Sequence, residues 1–145
     1  MTNKEKKLLI QDLCARLPYK VKCAGWLNIN NDKDVDKVYP WIDGEYIDGI
    51  TYNKIRIQGT WVETEFVRPY LRQMSNMTKE ECKKFDKFCV IDEDAWKGNM
   101  VKGHINQSKI MSDGIDYLNS IHVDFRGLIP MGLAIEVTEE NNPYK

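Results

Sequence analysis

Apolar residues near the start of the chain recur at helical spacing: Leu9, Leu13 and Leu17 stand four apart, with Ile10 and Cys14 beside them. They share one stripe of a helix and predict helix over 2–17. Thr2-Asn-Lys-Glu5 forms a capping box at its start, and Pro18 is the expected stop. From Tyr19 the period falls to two. Tyr19, Val21 and Cys23 alternate with Lys20 and Lys22, which predicts a half-buried strand over 19–26. A polar, acidic loop follows over 28–37. Residues 38–42 read as a strand, placed at an edge by Pro40. Asp48-Gly49 carries the signal of a type I′ hairpin turn within 46–52. Ile55 and Ile57 alternate inward over 53–58, Gly59-Thr60 bends the chain, and 61–67 gives another strand.

Residues 69–76 are expected to leave the sheet. Thr78-Lys-Glu-Glu81 is a second capping box, with Met77 and Cys82 as its hydrophobic staple. The helix it starts is expected to reach Cys89, with Cys82, Phe85, Phe88 and Cys89 inward and Lys79, Lys83 and Lys87 as a solvated ridge. Residues 91–109 read as a loop with a strand around 100–105. Ser112 or Asp113 caps a third helix bearing Ile115, Tyr117, Leu118 and Ile121. Asp124 is expected to cap a short turn through 125–131 that Gly132 ends, and 133–137 to add a closing strand.

These elements predict a single α+β domain over 1–145. An N-terminal helix is followed by a small antiparallel sheet or small barrel of about four or five strands, then two or more helices and a closing C-terminal strand. The length of 145 residues suffices for a core. No apolar run approaches the ~18 residues of a membrane helix, and Leu8-Leu9-Ile10 is too short for a signal-peptide core. The expectation is a soluble, cytoplasmic protein without a membrane partner. Four cysteines, at 14, 23, 82 and 89, form no CxxC. Cys82 and Cys89 would stand about 10 Å apart on one helix, too far for a disulfide. All four read as reduced and mostly buried.

The net charge is −1, but it comes in blocks: six basic and two acidic groups over 1–27, four and eight over 28–67, six and three over 68–89, five and nine over 90–145. Blocks that neutralise one another in the fold account for this, and the balance is not the basic one of a generic nucleic-acid binder. Asp32, Asp34 and Asp36 imitate the opening of a calcium loop. However, position six is Lys37 where glycine is needed, position twelve is Asp43, and Pro40 interrupts. His104 and His122 have no ligand cluster around them, so neither metal nor cofactor is expected. No serine elbow or phosphate-cradling glycine loop occurs. The acidic run Asp92-Glu-Asp94 reads as surface charge. Trp26, Trp41, Trp61 and Trp96 read first as core. Their alternative is an aromatic sheet face that, with Lys20, Lys22, Lys54 and Arg56, stacks single-stranded bases. Arg126, between Phe125 and Gly127, reads as half of a buried ion pair with a nearby carboxylate, Asp116 or Asp124.

Two stretches carry a resemblance: Arg68-Pro-Tyr-Leu-Arg-Gln-Met-Ser-Asn-Met-Thr78 and the segment 116–136, with its Asp-Phe-Arg-Gly-Leu-Ile centre. Together they resemble a family of short uncharacterised proteins from gut Bacteroidetes, their phages and mobile elements. The match covers about a fifth of the chain strongly. Phe125 stands where that family has Tyr, and Gln73 where it has Pro. The resemblance implies a small accessory protein of phage or mobile-element origin in the bacterial cytoplasm, and carries no site residues with it.

The functional expectation is therefore a non-enzymatic protein that binds a host or phage protein, or another copy of itself. Asp32, Asp34, Asp36, Lys79, Lys83 and Lys87 are the candidate partner surface, and Asp124, Arg126 and Gly132 are structural. No catalytic residue is assigned. The alternatives are a nucleic-acid-binding small barrel and an enzyme whose site follows no known pattern.

Overall fold

A computed structural model describes residues 1–26, 40–88 and 112–145. The chain is α+β, with two compact units: Met1–Tyr70 together with Glu139–Lys145, and Leu71–Thr138. Its strands form a mixed sheet that does not close into a barrel. The expected acidic loop over 28–37, the strand around 100–105, and Cys89, Asp92–Asp94, Trp96 and His104 lie outside the described residues.

In the first unit, α1 (Asn3–Arg16) begins at the expected capping box: the Glu5 amide donates to Thr2 Oγ1 at 3.1 Å and the Thr2 amide to Glu5 Oε2 at 2.7 Å. Its buried face differs from the expected leucine stripe. Leu9, Asp12, Leu13 and Arg16 are buried, while Leu17 and Cys14 are exposed. Arg16 Nε donates to both Asp12 carboxylate oxygens, at 3.0 and 2.9 Å. The mutual neutralisation of an i,i+4 pair lets both charges enter the core, which turns the inward face away from Cys14. The α-helix ends at Arg16, ahead of Pro18 as expected, but a coiled path continues through Pro18. The proline sits within a 3₁₀ turn, Leu17–Tyr19, whose first residues need no intrahelical N–H. The stop is Lys20, left-handed at φ 56°.

Strands β1 (Lys22–Gly25), β2 (Ile42–Ile50), β3 (Lys54–Ile57), β4 (Thr60–Glu63) and β5 (Val67–Gln73) follow, paired antiparallel in the order β4-β3-β2-β1-β5. Val21, Cys23, Ile47, Ile55, Ile57 and Val62 are buried. Gly25 is tightly approached: a Cβ there would lie 3.0–3.1 Å from Ile57, Ile42 and Val62. Asp48-Gly49 makes no turn, because both residues lie inside β2, where the register shifts beside β3. The two-residue hairpin turn is Gln58-Gly59, with φ 46° and 83°, between paired Ile57 and Thr60. Thr64–Phe66 coils into a 3₁₀ turn and ends the strand expected over 61–67.

The stretch expected to leave the sheet is β5 itself, and Pro69 sits within it opposite Cys23. The Trp26 amide donates to Phe66 O at 2.9 Å. Bonded rungs recur every second residue of an antiparallel ladder, so 26/66 and 24/68 are bonded pairs and 23/69 is not. The missing proline N–H therefore costs the ladder with β1 nothing.

In the second unit, α2 (Lys79–Asp86), α3 (Ser112–Ser120), β6 (Val123–Asp124) and β7 (Ile135–Glu136) surround a core of Met74, Met77, Phe85, Leu118, Val123 and Phe125. The Thr78 capping box is present, and Met77 and Cys82 meet this cluster as a staple would. β6 runs parallel to the end of β5, a departure from the expected antiparallel pattern. β7 also pairs with β5, and the Val137 amide donates to Leu71 O at 2.8 Å. Thus Leu133–Val137 does bring a strand to the sheet, of two residues rather than five.

Candidate binding surface

Two of the tryptophans expected in the core are outside it. Trp26 is buried, but Trp41 and Trp61 are 52% and 45% exposed, and Tyr46 and Tyr52 are 38% and 50% exposed. Strand alternation explains the outer-face members. Ile47, Ile55, Ile57 and Val62 point inward, so Tyr46, Arg56 and Trp61 point outward. Arg56 stands opposite both Gly49 and Trp61 in the register. Its guanidinium carbon lies 5.4 Å from the Trp61 ring centroid, and its Nε donates to Asp48 Oδ1 at 2.8 Å. Gly49 makes room for this stack: a Cβ there would be 3.2 Å from Arg56 Cβ and 3.4 Å from Trp61 Cη2. Lys20 Nζ lies 5.9 Å from the Tyr46 ring, and Lys6 Nζ 4.5 Å from the Tyr52 ring at the β2–β3 loop. The Arg56 bond holds the Asp48 carboxyl below its ordinary range.

This arrangement presents three flat rings with a cation beside each, Tyr46 and Trp61 on the sheet and Tyr52 in the β2–β3 loop. It can bury apolar area and accept stacking or cation–π contacts from a partner. In sequence, Trp61, Arg56 and Lys20 were already named for an aromatic sheet face, and the structure adds the Gln58-Gly59 turn between β3 and β4. Once that turn fixes the β3–β4 register, Arg56 and Trp61 must be neighbours.

Of the residues singled out from sequence, Asp32, Asp34 and Asp36 lie outside the described residues. Lys79, Lys83 and Lys87 are exposed on α2 and its end. Lys84, beside them, lies 4.8 Å from the Tyr117 ring. The Asp124 carboxylate accepts from the amides of Leu128 at 3.0 Å and Ile129 at 2.8 Å, and Gly132 is left-handed at φ 74°. Arg126 is half-buried; its Nη1 donates to Asn119 Oδ1 at 3.3 Å and its guanidinium lies 4.2 Å from the Phe125 ring. His122 adopts φ 59° after α3, and its carbonyl accepts from the Arg72 amide at 2.8 Å.

Among the described residues, sequence reading overlooked the ion pairs Asp12–Arg16 and Asp48–Arg56 in the first unit and Arg72–Glu81 in the second. Arg72 Nη1 and Nη2 each lie 2.8 Å from a Glu81 oxygen. Only the fold brings β5 and α2 to that distance. The cysteines also differ from expectation: Cys23 is buried and Cys82 half-buried, but Cys14 is exposed. Among the described residues no three His, Cys, Asp or Glu side chains converge as a metal site, and no helix is long and apolar enough to cross a membrane. No protein-family model, curated protein or solved structure matches the chain.

Proposed function

We propose that this is a non-enzymatic binding protein and that the outer face of β2–β4 docks a partner protein. The observation that carries this is Trp61: a large ring, half exposed, beside an arginine that Asp48 already fixes in place. Tryptophan, tyrosine and arginine are the residues that dominate protein interfaces, and preorganised ones lose little entropy on docking. The charge around the rings favours a protein over a phosphate backbone, since residues 40–68 hold three basic and five acidic groups. The resemblance to proteins of Bacteroidetes phages and mobile elements supports a host or phage protein as partner, met in the bacterial cytoplasm.

The test compares capture from a Bacteroidetes lysate by three immobilised proteins: wild type, Tyr46→Ala/Trp61→Ala, and Lys79→Ala/Lys83→Ala/Lys87→Ala. One partner held in stoichiometric amount by the first and third, and lost by the second, is expected. Equal capture by all three would move the site off this face; background alone would end the binding reading. A second reading, single-stranded nucleic acid, draws on the cations beside three of the rings. Anisotropy of a labelled oligothymidine favours it only if binding falls with salt and disappears in the Trp61→Ala protein.

A further inference from the structure

The segment Glu139–Lys145 belongs to the first unit, although the residues before it belong to the second. Its docking is specific. Bonded rungs between β1 and β5 fall at 26/66 and 24/68, so the next is due between the Lys22 amide and the Tyr70 carbonyl. The Tyr144 hydroxyl stands in that rung. It accepts from the Lys22 amide at 3.1 Å and donates to Tyr70 O at 2.8 Å. Only a group that is donor and acceptor at one atom can bridge an N–H to a C=O in this way, and a hydroxyl is such a group. Burial raises the Tyr144 phenol above its ordinary range, which keeps the proton it donates.

The neighbours of Tyr144 complete the recognition. Lys22 Nζ donates to Pro143 O at 2.8 Å, and Pro143 lies against Gly44, where a Cβ would be 3.6 Å from Pro143 Cβ. Pro143 brings no N–H that would need a partner, and its fixed φ lowers the cost of ordering the segment. Asn142 Oδ1 accepts from the Tyr144 amide at 2.9 Å, so the segment shapes its own turn. Residues 138–141 before it are exposed and lie outside any strand or helix. The segment is thus a tethered peptide ligand, docked through Pro143 and Tyr144.

We propose that the β1–β5 seam is a tyrosine-peptide acceptor site, filled in each chain by its own Asn-Pro-Tyr segment and able to take the same segment from a second copy. The tether gives the resident segment an effective concentration in the millimolar range. Exchange between copies therefore becomes visible only when the resident segment is disarmed or the protein is concentrated.

The test uses the full chain carrying Tyr144→Ala and a fluorescent peptide of residues 139–145. Saturable binding is expected, at least tenfold weaker to wild type and at least tenfold weaker for a peptide with phenylalanine at the tyrosine position. Sedimentation of the wild type should show a concentration-dependent dimer that the Tyr144→Ala chain does not form. Circular dichroism and a melting curve establish that the variant is folded. If it is not, Tyr144→Phe, which keeps the ring and loses only the hydroxyl, takes its place in the same titration. A folded variant that ignores the peptide overturns the acceptor site. A variant that binds the peptide, beside a wild type that stays monomeric at millimolar concentration, overturns the second copy as its source.

Discussion

Glu81 holds Arg72 through both carboxylate oxygens, each at 2.8 Å, while one of the same oxygens accepts from the Thr78 amide at 2.8 Å and caps α2. One carboxylate thus satisfies a helix start and the cation of a neighbouring strand. The Arg72 guanidinium also reaches Asn76 O at 3.3 Å. Charge-assisted bonds of this kind are worth more than neutral ones, so Glu81→Ala should destabilise the protein by about 1–2 kcal/mol. Urea unfolding with an unchanged m-value checks this. Thr78→Ala should cost less, because it removes the cap and leaves the clamp.

The same contacts make a pH prediction. Arg72 first, and the Thr78 amide after it, hold the Glu81 carboxyl at about 2 against an ordinary value of 4.5. The folded value lies below the unfolded one, so the contribution is complete above pH 4.5 and is lost as pH falls towards 2. Stability followed by urea midpoint should decline through that window in the wild type, and less steeply in Glu81→Gln. Glu5 and Asp48, lowered by the Thr2 amide and by Arg56 respectively, leave a residual slope. A slope identical in Glu81→Gln would remove Glu81 from the acid transition.

Asp12 and Arg16 are both fully buried and bonded to each other. Removing one partner strands the other charge in the core. Arg16→Met and Asp12→Leu should each cost about 3–5 kcal/mol, and the double variant much less than their sum. A double-mutant cycle measures this; additive losses would mean that the pair does not act as a unit.

Thiol chemistry should separate the cysteines. Cys14 is exposed, while Cys23 is fully buried, and burial first and Asp12 second push its thiol up. A disulfide reagent at pH 8 should modify Cys14 in the native protein and Cys23 only on unfolding. Cys14→Ser should abolish one fast equivalent.

Gln58 holds φ 46° at the first position of the Gln58-Gly59 turn, a conformation that asparagine tolerates better than glutamine. Gln58→Asn should stabilise the protein by up to about 1 kcal/mol, read as a higher melting temperature. No change would mean that the surrounding hairpin already absorbs the strain.

What the sequence determined by itself is local. Thr2 and Thr78 with their glutamates announce two helix starts because a capping box is complete within four residues. The alternation of Ile55 and Ile57, and the glycine at 59, follow from backbone geometry alone. Asp124 and its turn are likewise short-range, closed by amides four and five residues on.

Tertiary structure decided whatever depends on a partner distant in the chain. Burial of Asp12 and Arg16 needed a core around α1, so the inward face keeps Leu9 and Leu13 but takes in that pair and leaves out Cys14 and Leu17. Pro69 could join a strand because the register with β1 gives it a position that bonds nothing. Asp48-Gly49 has the composition of a turn, yet it lies in β2 beside Arg56 and Trp61. The exposure of Trp61 follows from that register, which no hydrophobicity scale contains. Tyr144 in the rung between Lys22 and Tyr70 is the plainest case. A hydroxyl 122 residues from the amide it meets has no local signature, and its role exists only once two strands leave a gap of its size.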